Sequence, residues 1–128
     1  MSRIGVFFAE GYEEIEALTV VDVARRAGIE VSMISVEEKE EVKGSHGISV
    51  RMDGKLSETD FAGLDMLVLP GGKKGTEGLE NCEKLMEQLD AFYEAGKPVA
   101  LNGEKMKFSA LLEKLNELGG KHGIGITD

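Results

Sequence analysis

The chain has 128 residues, 15 of them Lys or Arg and 24 Asp or Glu, which gives a formal net charge of −9 at pH 7, and 41% are hydrophobic. That length allows one domain, and this apolar content with interspersed charges of both signs describes a chain that buries a core. Net negative charge repels phosphate backbones and anionic headgroups, and no Lys/Arg-rich stripe offsets it, so neither nucleic acid nor membrane partners are expected. No stretch approaches the roughly 20 apolar residues of a membrane span, and Ile4 to Ala9 is too short for a signal-peptide core, so the expected setting is cytoplasmic. The single cysteine, Cys82, can form neither an intramolecular disulfide nor a thiolate-only metal site.

Ile4 to Ala9 is a short apolar run stopped by Glu10-Gly11, the pattern of a strand buried on both faces. From Glu13, apolar Ile15, Leu18, Val21, Val23 and Ala27 recur at helical steps, acids crowd the first turn, and Arg25-Arg26 precede Gly28. This is the first helix. Val31 to Val36 is the second strand. The charged run Glu37 to Glu41 reads as a solvated loop, and the Gly44-Ser45-His46-Gly47 turn with Ile48 to Met52 predicts a small β-hairpin. Met66 to Leu69 is a third strand cut by Pro70-Gly71-Gly72, and Leu79, Leu85, Met86, Leu89 and Phe92 mark a second helix ending at Gly96. Val99 to Leu101 is a fourth strand, Phe108 to Leu118 a third helix stopped by Gly119-Gly120, and Ile124 to Thr127 a last strand. Repeated β-α-β units predict one α/β domain over 1–128: a flavodoxin-like, doubly wound parallel sheet of order 2-1-3-4-5. The longest irregular piece expected is Gly54 to Leu64.

Several separated motifs carry a family resemblance. Phe7-Phe8-Ala9-Glu10-Gly11-Tyr12-Glu13-Glu14-Ile15-Glu16-Ala17, Val21-Asp22-Val23-Ala24-Arg25-Arg26-Ala27-Gly28-Ile29, Gly44-Ser45-His46-Gly47-Ile48 and Leu67-Val68-Leu69-Pro70-Gly71-Gly72 through Gly75-Thr76 resemble the ThiJ/PfpI superfamily, in particular its parkinsonism-associated deglycase branch, over about residues 1–98. The resemblance implies a flavodoxin-like sandwich and, in catalytic members, a nucleophilic cysteine at a strand-to-helix elbow. There a helix N-terminus stabilises the thiolate and backbone amides hold an oxyanion. It assigns the acid partner to Glu16 and an amide donor to Gly72. The cysteine belongs after the fourth strand, where this chain reads Gly96-Lys97-Pro98-Val99-Ala100-Leu101-Asn102-Gly103. Gly103 stands in the nucleophile's place, and glycine has no atom that can attack. The histidine-bearing downstream segment of the family is missing too.

The remainder, from Pro98-Val99-Ala100-Leu101-Asn102-Gly103-Glu104-Lys105-Met106 to Gly119-Gly120-Lys121-His122-Gly123-Ile124-Gly125, resembles a stretch of argininosuccinate synthase over about residues 98–125. That enzyme's ATP-binding glycine loop and its citrulline-contacting segment have no counterpart here. The two resemblances together imply a chimera of an engineered kind, with residues 1–97 from one source and 98–128 supplying a strand-helix-strand piece that completes one sheet. The function expected is none of a catalytic kind. The alternatives are a degenerate glyoxalase, deglycase or hydrolase working weakly through Glu16, and a small-anion-binding module.

Among single residues, Glu16 is the sharpest candidate. A poorly solvated carboxylate there would titrate high, while the bland reading is a solvated acid in an acid-rich helical turn. Gly71, Gly72, Gly75 and Thr76, with Lys73 and Lys74 beside them, could hold a small anion, although a plain turn needs the same glycines. Cys82 is expected inside the second helix as an apolar filler, and Met33, Met66 and Met86 as core filler. His46 and His122 read as turn residues, and no metal or other cofactor is expected. Gly119-Gly120-Lys121 lacks the spacing of a phosphate loop. The family resemblance makes a homodimer through the first helix an option.

Overall fold

The computed structural model describes residues 2–102. Gly103, His122, the expected third helix and the expected last strand lie outside the described residues. The described elements, in order, are β1 (Arg3–Phe8), α1 (Glu14–Arg26), β2 (Glu30–Ser35), β3 (Glu41–Lys43), β4 (Ser49–Arg51), β5 (Gly54–Lys55), β6 (Met66–Pro70), α2 (Lys73–Glu80), α3 (Glu83–Glu94) and β7 (Val99–Asn102).

Five strands form one parallel sheet of order β5-β2-β1-β6-β7. Its run β2-β1-β6-β7 is the expected order 2-1-3-4. The continuous apolar runs exist because alternate side chains enter two separate cores. Ile4, Val6, Phe8, Met66 and Val68 pack under Ala17, Val20, Val21 and Ala24 of α1. Phe7, Ala9, Leu67 and Leu69 face Leu79 of α2 and Leu85 and Phe92 of α3 on the other side. Met66 is fully buried in the first core and Met33 packs at its margin, while Met86 packs against the second, so the methionines are filler as expected.

Two local differences from the sequence reading have physical causes. The second helix is not continuous: α2 ends at the Asn81 cap and Cys82 is extended (φ −87, ψ 98) as the N-cap of α3. Leu79 and Leu85 are six positions apart, roughly 240° around a continuous helix, and the break lets both reach the same core. Cys82 is therefore at a helix start and not within a helix, although it does pack half-buried against that core. The stretch expected to be irregular from Gly54 contains β5, which pairs with Ile34 and Ser35 at the edge of β2. Asp53 holds it there: its Oδ2 accepts from Met33 N and from Arg25 Nη2, each at 2.8 Å, and its own N donates to Met33 O at 2.8 Å.

The β3–β4 hairpin forms as expected, with Val42 opposite Val50, but as a separate two-stranded antiparallel sheet. Val42 and Met52 anchor it to the first core.

Candidate functional site

The candidate site is built where β1 turns into α1 and β6 into α2. After Phe8 the chain turns at Gly11 (φ 90), and Glu13 caps α1 by accepting from Ile15 N at 2.7 Å. The cap sets the first helical turn so that Glu16, partly buried, reaches the end of β6. There Glu16 Oε1 accepts from Gly71 N at 3.0 Å, and Glu13 N donates to Gly71 O at 3.0 Å. The N–H and the C=O of Gly71 are thus both held by the start of α1.

The glycines that follow are explained by close approach. Gly72 is the N-cap of α2 with φ 102, and a Cβ on it would lie 2.6 Å from Gly11 O and 2.8 Å from Glu13 N. A Cβ on Gly75 would lie 2.7 Å from Tyr12 Cα. The helix start carrying Thr76, whose N donates to Gly72 O at 2.7 Å, is pressed against the Gly11–Tyr12 backbone. Of the glycines of the expected anion cradle, Gly71 gives its amide to the Glu16 carboxylate. Lys73 and Lys74 are exposed, and the Lys74 stem lies against Gly11.

A second cluster lies on the other side of the same turn, and the sequence reading missed it. Glu14 is only 4% exposed, yet it is a carboxylate. Its Oε1 accepts from Ser45 Oγ at 3.3 Å and is 2.8 Å from His46 Nδ1, while its Oε2 accepts from His46 N at 2.8 Å and Ile48 N at 3.4 Å. Burial pushes the Glu14 carboxyl up, but the His46 side chain and the amides of Glu14, His46 and Ile48 outweigh it and hold the carboxyl at about 2. The same hydrogen bond and the Glu14 charge raise His46. His46 does sit in a turn, as expected, but it is also a partner of Glu14. The available signal was periodicity: Glu14, Ala17, Val21 and Ala24 form one helical stripe, and all four are buried.

Glu13, Glu14 and His46 each offer an atom within 4.8 Å of the others, a spacing a metal ion could use. The hydrogen bonds above already occupy both Glu14 oxygens, and one Glu13 oxygen caps α1, so the cluster is a hydrogen-bonded one and no metal is needed to explain it. Next to it, Tyr12 is 1% exposed and its hydroxyl has no hydrogen-bond partner among the described residues. Burial first and the Glu14 charge second push that phenol up to about 12.

The acidic run from Glu37 is exposed, as expected of a loop, although it is tied at several points: Glu37 Oε1 accepts from Glu10 N at 3.0 Å and Glu38 Oε2 from Ser57 N at 3.2 Å. A cavity of about 370 Å³ lies elsewhere, lined by Arg3, Glu30, Ser32, Asp53 and Lys55 among others, and it includes neither Glu16 nor the glycine corner.

Comparison with known proteins decides what this frame is. A match to the DJ-1/PfpI family covers residues 2–101. The chain belongs to the DJ-1/PfpI family. Among relatives, Protein DJ-1 homolog A of Arabidopsis thaliana is 40% identical over 96 residues, which is 75% of this chain and 24% of that protein. The solved structure of oxidized Toxoplasma gondii DJ-1 is 32% identical with a TM-score of 0.73, covering 94% of this chain and 64% of that chain. The chain therefore spans well under the full length of the family members it matches. Argininosuccinate synthase of Nitrosomonas eutropha is 64% identical over 42 residues, 33% of this chain and 10% of that enzyme. In a chain of 128 residues the family match and this segment overlap. No helix among the described residues is long and apolar enough to cross a membrane.

Proposed function

We propose that this chain is a DJ-1/PfpI frame without covalent catalysis, in which the family's acid, Glu16, is seated at the glycine corner but the nucleophile is absent. The observation that carries this reading is the 3.0 Å bond from Gly71 N to Glu16, next to the strand pair Pro70↔Asn102, because the residue after Asn102 in the sequence is Gly103. A carboxylate without an adjacent thiol can serve as a general base at most, worth about 10²–10⁴-fold, and this one is engaged with a backbone amide. The short argininosuccinate-synthase-like segment supports a joined origin for the chain. Ile15 and Ile48, 76% and 52% exposed, suit a homodimer contact at the first helix within the same reading.

The test is an assay of the full chain with methylglyoxal, with a glycated amine and with a peptide substrate. No turnover above buffer is expected. Turnover that disappears in Glu16→Gln would overturn the proposal.

A further inference from the structure

We propose that the Glu14 carboxylate is a built-in anion around which the Gly44–Ile48 loop folds, fastening the β3–β4 hairpin to the turn that leads into Glu16. This role is independent of whether the Glu16 corner has any activity.

The argument starts from the hairpin. Its strands have three residues each and, among the described residues, pair with each other and no other strand, and an isolated hairpin of that size is marginal in water. Something must hold it. Val42 and Met52 supply apolar anchors, but the loop from Gly44 to Ile48 is exposed apart from Gly44. That loop turns four donors inward on one carboxylate: the amides of His46 and Ile48, the Ser45 hydroxyl and His46 Nδ1. Converging backbone amides of this kind form an anion receptor. Gly44 makes room for it, since a Cβ there would land on the Glu14 carboxyl group.

The anion, for its part, has no alternative. A carboxylate removed from water needs close to a full set of donors, and the loop supplies most of them. Two further bonds join the same segments, from Gly11 N to Lys43 O at 2.9 Å and from Ser45 N to Tyr12 O at 2.8 Å. The segment from Gly11 to Glu13 is consequently clasped from two directions, by the glycine corner of α2 and by this loop. Among the described residues, Glu13 acts on His46 and the Glu14 charge acts on Tyr12, both in the segment that leads into α1.

Hydrogen exchange of the full chain, read by NMR at the His46 and Ile48 amides, tests this. In Glu14→Gln both amides should exchange about tenfold faster or more, with β1 amides unchanged, since a charged acceptor is replaced by a neutral one. In Glu14→Ala, formate should restore protection and formamide should not. Equal exchange in parent and variants, or equal rescue by the two small molecules, would overturn the assignment. If neither variant folds, Ser45→Ala combined with His46→Ala removes only exposed side-chain donors. The Glu14 carboxyl should then titrate higher than in the parent, and an unmoved titration would overturn the assignment.

Discussion

Gly72 and Gly11 approach so closely that the Gly11 carbonyl oxygen would be 2.6 Å from any Cβ added at Gly72, whose φ of 102 is itself a conformation L side chains rarely adopt. The three nearest atoms, Gly11 O, Glu13 N and Tyr12 C, all belong to backbone, so none can rotate away. Gly72→Ala should destabilise the chain by about 3 kcal/mol, near the top of the usual range for single substitutions, because strain and overlap act together. Urea denaturation measures it. A loss under about 0.5 kcal/mol, the size of an ordinary surface change, would show that α2 can pivot off the turn.

Glu16 bridges the two β-α corners through Gly71 N. Glu16→Gln keeps an acceptor of the same shape and should cost about 1 kcal/mol, whereas Glu16→Ala strands a buried amide and should cost about 2 kcal/mol. Chemical denaturation of the two variants side by side checks the order. Equal costs would mean that the carboxylate contributes through packing and not as an acceptor.

The pairing of Glu14 with His46 has a pH signature whose sign follows from the two directions. Glu14 is held below its ordinary 4.5, at about 2, so its contribution is present above about pH 4.5 and is lost as the pH falls toward 2. His46 is raised above 6.5, so its contribution is complete below 6.5 and is lost as the pH rises through the raised value. The contact is therefore strongest between those ordinary values. A proton NMR titration of the His46 ring should show the raised midpoint in the parent and its return toward 6.5 in Glu14→Gln. A midpoint that does not move on substitution would mean that Glu14 is not the cause.

Tyr12 carries a buried hydroxyl without a partner among the described residues, while its ring sits edge-on to Phe8 at 4.7 Å between centroids. Tyr12→Phe keeps the ring contact and removes the stranded group, so it should leave stability equal or raise it by up to about 1 kcal/mol. Thermal unfolding reads the change. A loss of stability would reveal that the hydroxyl is hydrogen-bonded in solution.

What the sequence disclosed depended on how local the cause was. Leu67-Val68-Leu69 was legible as a doubly buried strand because both neighbouring layers take its side chains, and that leaves an unbroken apolar run. The end of α2 at Asn81 was not legible, because its cause is the need of Leu79 and Leu85 to meet one core, a tertiary demand that no local turn residue announces. Gly72 and Gly75 could be recognised as turn glycines, but their pressure against Gly11 and Tyr12 belongs to a contact some sixty residues apart in sequence. Glu16 stood out only through family resemblance. Glu14 looked like its acidic neighbours, since the donors that distinguish it lie 32 residues away in a polar loop. Its helical stripe with Ala17 and Val21 was the one trace, and it reads as burial without saying what pairs with the charge.

The nucleophile position gives a test that depends on the corner and not on activity. Gly103→Cys would restore a thiol next in sequence to Asn102, the residue paired with Pro70 just before the Glu16-bound Gly71. A thiol beside a helix start and backbone amides is favoured as thiolate, whereas one in neutral surroundings has the ordinary value near 8.5. The chain supplies its own control, because Cys82 is half-buried. In Gly103→Cys, a thiol reagent at neutral pH should modify the new site at least about tenfold faster than a free thiol, as a lowered thiol pKa allows, with Cys82 modified slowly. Mass spectrometry of each cysteine-bearing peptide over time separates the two. If residue 103 reacts no faster than a free thiol, position 103 does not lie in the activating surroundings of the family's elbow.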